Sequence, residues 1–370
     1  MKKYQKIPEW PQIRRRYSDF WKGTWPADRL LMQVQNLDKV PAVAPAWMAD
    51  KAFLEKKYRN PDLFFKLIDY RRSLWQWHGD LFHYRIPSYA PNSLPLYLGS
   101  RVYFGTSVWQ EPLLKSIEES DKINFESSNT FWQEHLETVD YFIEKCQGIE
   151  LLGMTDFGGP MDWLGCFLGP EQLCLDVRSH PEKVQSFANR LGEIFCQLWD
   201  IVYGKISSHF DGSCNWLPMW AEGRLAVLQD DLAILLSPEI YRDVFGPVIR
   251  KIARHFEKVL FHFHSGALHQ LDNLISIPEI EVIHFGIDPN AYPITSYLPH
   301  LSRIQAAGKG LFISVLAPAD VPALIKGLDP RRMLLLVTAP DEESSRKLLE
   351  DSVIWTQRRV NQMAEEKQDA

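Results

Sequence analysis

Lys258-Val-Leu-Phe-His-Phe-His-Ser-Gly266 decides how the rest of this chain is read. Its first half is apolar, β-branched and aromatic, as a buried strand requires. Two histidines at i and i+2, His262 and His264, then appear just before a Ser-Gly break. Successive side chains of a strand point to opposite faces, so the two imidazoles share one face while Phe261 and Phe263 take the other. Two titratable rings on one face at the exit of a buried strand are costly unless something uses or satisfies them. The stretch therefore predicts a strand that ends in a site.

Working outward, further strands are expected at 281–287, 310–315 and 333–338, with helices at about 267–276, 294–307, 319–327 and 341–360. Upstream, 30–35, 149–155, 212–217 and 227–231 bring the strand candidates to eight. Strand–helix alternation implies a parallel sheet with right-handed crossovers. Eight such units predict an α/β fold, a single (β/α)8 TIM barrel spanning 1–370. A doubly wound open sheet is the alternative, placed second because no Gly-rich phosphate loop follows an early strand.

Residues 1–80 read as an N-terminal helical elaboration plus the first strand. A helix within 1–27 carries Trp10, Tyr17, Phe20, Trp21 and Trp25. Residues 48–77 read as two helices broken at Asn60-Pro61, since proline suits the first turn of a helix. Residues 80–112, rich in Pro, Tyr and Gly, predict a long hairpin-like excursion. Amphipathic helices are expected at 129–146 and 181–210, and Ser237-Pro238 marks another helix start.

The chain has 370 residues, 45% hydrophobic and 12% aromatic with 13 Trp, enough to fill a large core. A net charge of −6 argues against a nucleic-acid surface. The cluster Arg14-Arg15-Arg16 reads as a solvated helix face. Five irregularly spaced cysteines suit a reduced, intracellular protein, not a disulfide framework. The first residues lack the apolar run of a signal peptide, and no stretch has the length of a membrane span. The expectation is a cytoplasmic protein acting on a small molecule, without a membrane or nucleic-acid partner.

In a barrel the strand C-termini build the site. His262 and His264 are candidate catalytic residues and candidate ligands of one zinc ion, completed by carboxylates from neighbouring strands. They also suit acid–base work without metal, and a pair of buried histidines satisfied by carbonyls and water is the plainer reading. Asp156, before Phe-Gly-Gly-Pro160, and Asp231 are candidate catalytic carboxylates; Asp156 could equally cap a turn. Only one of Asp230 and Asp231 can face the interior, which leaves Asp230 as a substrate contact or cap. Glu222, His284 and Trp109, Trp216 and Trp220 are candidate substrate-binding residues. Trp163 is a further possible wall, and Asp288 either joins His284 or starts a turn.

Three segments carry a family resemblance: Leu235-Leu-Ser-Pro-Glu-Ile-Tyr-Arg-Asp-Val-Phe-Gly-Pro-Val-Ile249, Phe261-His-Phe-His-Ser-Gly266 and Leu334-Leu-Leu-Val-Thr-Ala-Pro-Asp-Glu-Glu343. With Asp156-Phe-Gly-Gly-Pro160 they resemble the uroporphyrinogen decarboxylase superfamily, single (β/α)8 barrels that include corrinoid-dependent methyltransferases. The resemblance covers roughly 100–355. It implies methyl transfer to or from a small molecule, with the corrinoid supplied by a partner protein. In the methyltransferases a His-x-Cys pair on this strand and a second cysteine near the last strand hold zinc. Here His262 matches the first position, His264 stands at the cysteine, and no cysteine follows Cys214. A harder His/His/carboxylate set is the form left open. The decarboxylase's arginine-rich N-terminal signature is absent. A metal-free decarboxylase or carbon–carbon lyase, and a catalytically silent ligand-binding barrel, are the alternative functions.

Overall fold

The computed structural model describes residues 2–38, 56–89, 91–104, 108–289 and 291–368. In chain order the strands are β1 (Leu31–Leu37), β2 (Trp75–Gly79), β3 (Tyr84–Arg85), β4 (Arg101–Phe104) and β5 (Val108–Glu111). There follow β6 (Leu151–Leu152), β7 (Ser213–Cys214), β8 (Trp220–Ala221) and β9 (Leu225–Gln229). The last four are β10 (Lys258–His264), β11 (Val282–Gly286), β12 (Gly310–Leu316) and β13 (Met333–Ala339).

Seven of these form one sheet in the order β2-β1-β13-β12-β11-β10-β9. Every pair is parallel except β2, which runs antiparallel on the edge of β1. The parallel strands β9 to β13 are largely apolar because both faces are covered: Val259, Leu260, Phe261 and Phe263 are buried, as are Leu311–Ile313 and Met333–Leu335. Each crossover carries helix, including Pro238–Val244, Gly246–Ala253, Leu298–Ala306 and Val321–Gly327. From residue 237 onward the expected alternation is found nearly residue for residue. Ser237 caps its helix, accepting from Ile240 N at 3.4 Å.

The first half departs from expectation. The barrel strand expected at 212–217 shrinks to β7, which pairs antiparallel with β8 in a hairpin. The strand expected at 149–155 is β6 alone, parallel to β3. Beyond these, single hydrogen bonds carry the pairing on: Gly153 N donates to Arg85 O and Met154 N to Cys214 O, each at 2.7 Å. Gly153 allows that approach, because a Cβ there would lie 2.9 Å from Cys214 O. Gly158, Gly159 and Pro160 on one segment and Pro218 on the other then turn the chain out of extended pairing. No closed ring of eight ladders is found among the described residues; the sheet ends at β2 and β9.

The second of the two helices expected in 48–77 forms after Asn60-Pro61 but stops short of 77. Asn60 caps a helix over Pro61–Arg72, accepting from Leu63 N at 3.0 Å, and the chain then becomes strand β2. Residues 48–55 lie outside the described residues. The excursion at 80–112 contains the antiparallel hairpin β4–β5. The helices Thr130–Cys146 and Pro181–Ser207 stand where their periodicity placed them.

The N-terminal helix, Trp10–Lys22, buries Trp10, Ile13, Tyr17, Phe20 and Trp21 and ends at Gly23 with φ 66°. Its Trp21 Nε1 donates to Trp220 O at 2.9 Å. Tyr17 OH donates to Pro218 O at 3.1 Å, so this helix holds the β7–β8 hairpin. Among the described residues no helix is long and apolar enough to cross a membrane.

Candidate metal and acid–base site

All parallel strands of the sheet end on one side, and the site lies there. Register builds it: His262 of β10 sits opposite Gln229 of β9 and His284 of β11, and His264 sits opposite Gly286. His262 and His284 are buried, whereas the side chain of His264 is 39% exposed and that of Asp231 50%.

The imidazoles touch in a row. His262 Nδ1 is 2.6 Å from His284 Nδ1, and His284 Nε2 is 2.8 Å from Ser314 Oγ on β12. On the other side His262 Nε2 lies 3.0 Å from His264 Nε2. Asp231 Oδ1 is 3.9 Å from each of those two Nε2 atoms. His264 Nδ1 faces Asp288 Oδ1 at 3.0 Å, close enough to pair, though out of line for a full hydrogen bond. Asp288 is itself fixed, with Oδ2 accepting from Ser265 Oγ at 2.9 Å and from Gly266 N at 2.6 Å. Trp216 meets His262 edge to face, ring centroids 5.3 Å apart.

Burial pushes His262 down to about 3, assisted by His264 and opposed by Asp288. The same burial, with His262 and His264 adding to it, holds His284 well below the usual histidine range. Both rings are therefore neutral. The Asp231 carboxyl is raised by burial; His264 pulls it down and Asp288 pushes it up.

Imidazoles beside a carboxylate are metal-ligand chemistry, and Asp231, His262 and His264 form a compact donor group. The three donor atoms make a triangle with sides 3.0, 3.9 and 3.9 Å. Its corners all lie about 2.1 Å from one point, the length of a Zn–N or Zn–O bond. The residues thus fit a divalent ion, with open positions left for a substrate. They offer no thiolate. Cys214 is buried, with its thiol pushed up by burial.

Two further carboxylates brace this corner. Asp162 accepts from Asp231 N at 3.1 Å and Leu232 N at 3.0 Å, which fixes the turn that presents Asp231. Asp230 points away from the donor group: it is buried, accepting from Met161 N at 2.7 Å and Tyr241 OH at 2.8 Å. It acts as a structural acceptor between two helices, not as a substrate contact. Asp156 accepts from Gly158 N at 3.0 Å, and burial, with a further push from Asp231, raises its carboxyl to about 7.

The remaining candidates are not brought together here. Trp220 is fully buried against Trp10 and Tyr17, with Nε1 donating to Asp211 O at 2.7 Å. Glu222 pairs with Arg14 of the N-terminal helix at 3.2 Å. Trp163 is core, packed at a tilt against Phe195. Trp109 is 71% exposed on β5, opposite Tyr103. His284 stands behind His262 and does not line the open side. Ser314, Gly286 and Asp162 went unread in the sequence. Ser314 and Gly286 did leave a signal, each being a non-apolar interruption of a buried strand; Asp162, in the first turn of the helix Pro160–Leu168, left none.

No family model matches the chain, and no curated protein matches it. Among solved structures it resembles a methyltransferase from Methanosarcina mazei, with TM-score 0.58 and 14% sequence identity over 94% of this chain and 98% of that one. At that identity the likeness is one of fold.

Proposed function

We propose that this chain is a metal-dependent methyltransferase of the uroporphyrinogen decarboxylase superfamily, built on an interrupted (β/α)8 barrel. It would transfer a methyl group between a small molecule and a corrinoid carried by a partner protein. The bonds from Gly153 to Arg85 and from Met154 to Cys214 support the interrupted barrel, since they join the segments of β3, β6 and β7 side by side outside the seven-stranded sheet. The fold likeness to a methyltransferase supports the reaction class. The observation that carries the reading is the triangle of Asp231 Oδ1, His262 Nε2 and His264 Nε2.

A zinc ion bound there supplies Lewis acidity to a heteroatom of the substrate. The chain's own residues set what that heteroatom is. Two neutral imidazoles and one carboxylate bring a single negative charge, against two where a family site uses one histidine and two cysteines. The ligand set is harder and leaves more positive charge on the ion, so it favours an oxygen or nitrogen atom over a thiol. Trp216 walls the site beside His262. Burial raises the Asp156 carboxyl to about 7, the range that activation of an O–H or N–H group requires.

The test is elemental analysis of untagged protein, together with methylcobalamin turnover followed by its visible spectrum. Near-stoichiometric metal in the wild type, lost in Asp231→Asn and His264→Ala, agrees with the proposal. A wild type that neither retains nor takes up zinc sinks it. The lyase reading has one observation in its favour: Asp156 as an acid able to protonate a carbanion. Decarboxylation by metal-free protein, abolished in Asp156→Asn, would select it.

A further inference from the structure

The row of imidazoles continues past the two that share the donor triangle. His262 Nδ1 contacts His284 Nδ1 at 2.6 Å and His284 Nε2 contacts Ser314 Oγ at 2.8 Å, all three side chains being buried. We infer that His284 and Ser314 are positioning residues that fix the tautomer and ring orientation of His262 for metal binding. This rests on the metal centre proposed above.

The argument is a count of protons and lone pairs. A metal takes the lone pair on His262 Nε2, so the single ring proton of neutral His262 must sit on Nδ1. The atom facing it is His284 Nδ1, which accepts only if the His284 proton is on Nε2. At Nε2 stands Ser314 Oγ, which accepts it. The hydrogens therefore run one way: His262 Nδ1–H donates to His284 Nδ1, and His284 Nε2–H donates to Ser314 Oγ. The reversed run places a proton on His262 Nε2, where it points at His264 Nε2 3.0 Å away and closes the donor triangle. His264 has its own counterpart in Asp288, 3.0 Å from Nδ1.

Backbone geometry serves the same end. β12 changes register against β13 between Ile313 and Leu316, an irregularity that brackets Ser314. Irregularities of this kind re-aim a side chain out of the regular ladder. The strand pairing also sets His284 directly beside His262.

Partners of this kind are worth 10–100-fold in metal affinity. The experiment measures zinc affinity by competition with a chromophoric chelator, and the visible absorption of the Co²⁺-substituted protein, in wild type, His284→Leu, His284→Gln and Ser314→Ala. Melting of each metal-free protein reports folding. His284→Leu should lose about 10–100-fold in zinc affinity, His284→Gln, which keeps a side-chain acceptor, should lose no more than about threefold, and Ser314→Ala should fall between. An altered Co²⁺ spectrum should accompany each loss, which a merely packing role for His284 would not produce. A folded His284→Leu that binds zinc as tightly as wild type, while Asp231→Asn does not, overturns this inference and leaves the metal centre standing. Should His284→Leu not fold, an unchanged affinity and spectrum in Ser314→Ala overturns it instead. A wild type without zinc affinity overturns the centre beneath it.

Discussion

Gly286→Ala adds one methyl group where the site has no room for it. A Cβ at 286 would stand 3.0 Å from His262 Cε1, 3.2 Å from His264 Nδ1 and 3.3 Å from His264 Cε1. Carbon atoms prefer about 3.5–4.0 Å, so the His262 ring must give way by about 0.5 Å. It cannot move toward His284, whose Nδ1 is already at 2.6 Å. It must tilt, and a tilt disturbs the placement of Nε2 against Asp231. Ligand sets tolerate misplacement of only about 0.5 Å, and overpacking of a tight site costs roughly 1–3 kcal/mol. If half of that strain is released when the metal is absent, zinc affinity falls roughly two- to twelvefold, since about 1.4 kcal/mol is one decade. Chelator competition reads the affinity, and melting of metal-free protein reads how much of the cost falls on the fold. Zinc affinity within twofold of wild type, in a variant that melts lower, would refute the claim that Gly286 keeps space for the two ligating rings.

Three other outcomes follow from the same structure. Gly204, in the helix Pro181–Ser207, has open space at its Cβ position, so Gly204→Ala should raise stability by about 0.5–1 kcal/mol; a loss in denaturant unfolding would contradict it. Asp162→Ala frees the N–H groups of Asp231 and Leu232, and should lower both stability, by about 1–2 kcal/mol, and zinc affinity; unchanged affinity would show that Asp231 needs no such anchor. The folded protein keeps the Asp156 proton up to about pH 7, whereas an unfolded chain releases it near 3.8. The folded state therefore binds more protons across that window, and stability falls as pH rises from about 4 to about 7. Asp156→Asn should remove this fall, gaining on wild type by on the order of 3–4 kcal/mol at pH 8 and little at pH 4; a gain largest in acid would be inconsistent with it.

What could be read from the chain differs between its halves for a physical reason. From β9 onward each strand is a five- to seven-residue, largely apolar run followed by helix, and such segments declare themselves locally. In the first half β3, β6 and β7 are only two residues long and owe their pairing to distant partners. The run at 212–217 stands where strand–helix alternation puts a barrel strand, after the long helix; Pro218 and the N-terminal helix, which bonds to Pro218 O and Trp220 O, instead make it a hairpin. Strand β2 was hidden by its aromatic residues, which suit an amphipathic helix as well as a sheet edge. The site shows the same division. His262, His264 and Asp231 were visible as polar groups at strand ends. Trp220 and Glu222 were adjacent in sequence but belong to the opposite side of the hairpin, a matter of topology that no local pattern encodes. The task of His284 depends on register with β10, which sequence spacing alone does not give.

Strand β1 lies between β2 and β13, paired in register from Leu31 with Leu334 to Asn36 with Ala339. Its hydrogen-bonding partner is thus about 300 residues away, a separation that makes for slow folding. On a ribosome adding roughly 5–20 residues each second, β1 emerges some 15–60 s before β13 exists. During that interval Met32 and Val34, both fully buried in the finished sheet, lack their β13 neighbours while β2 pairs the other edge of β1. The antiparallel β2 then acts as a placeholder during synthesis, holding one edge of β1 while the other waits. Once β13 is made, the first and last strands of the sheet, about 300 residues apart, are joined in one ladder.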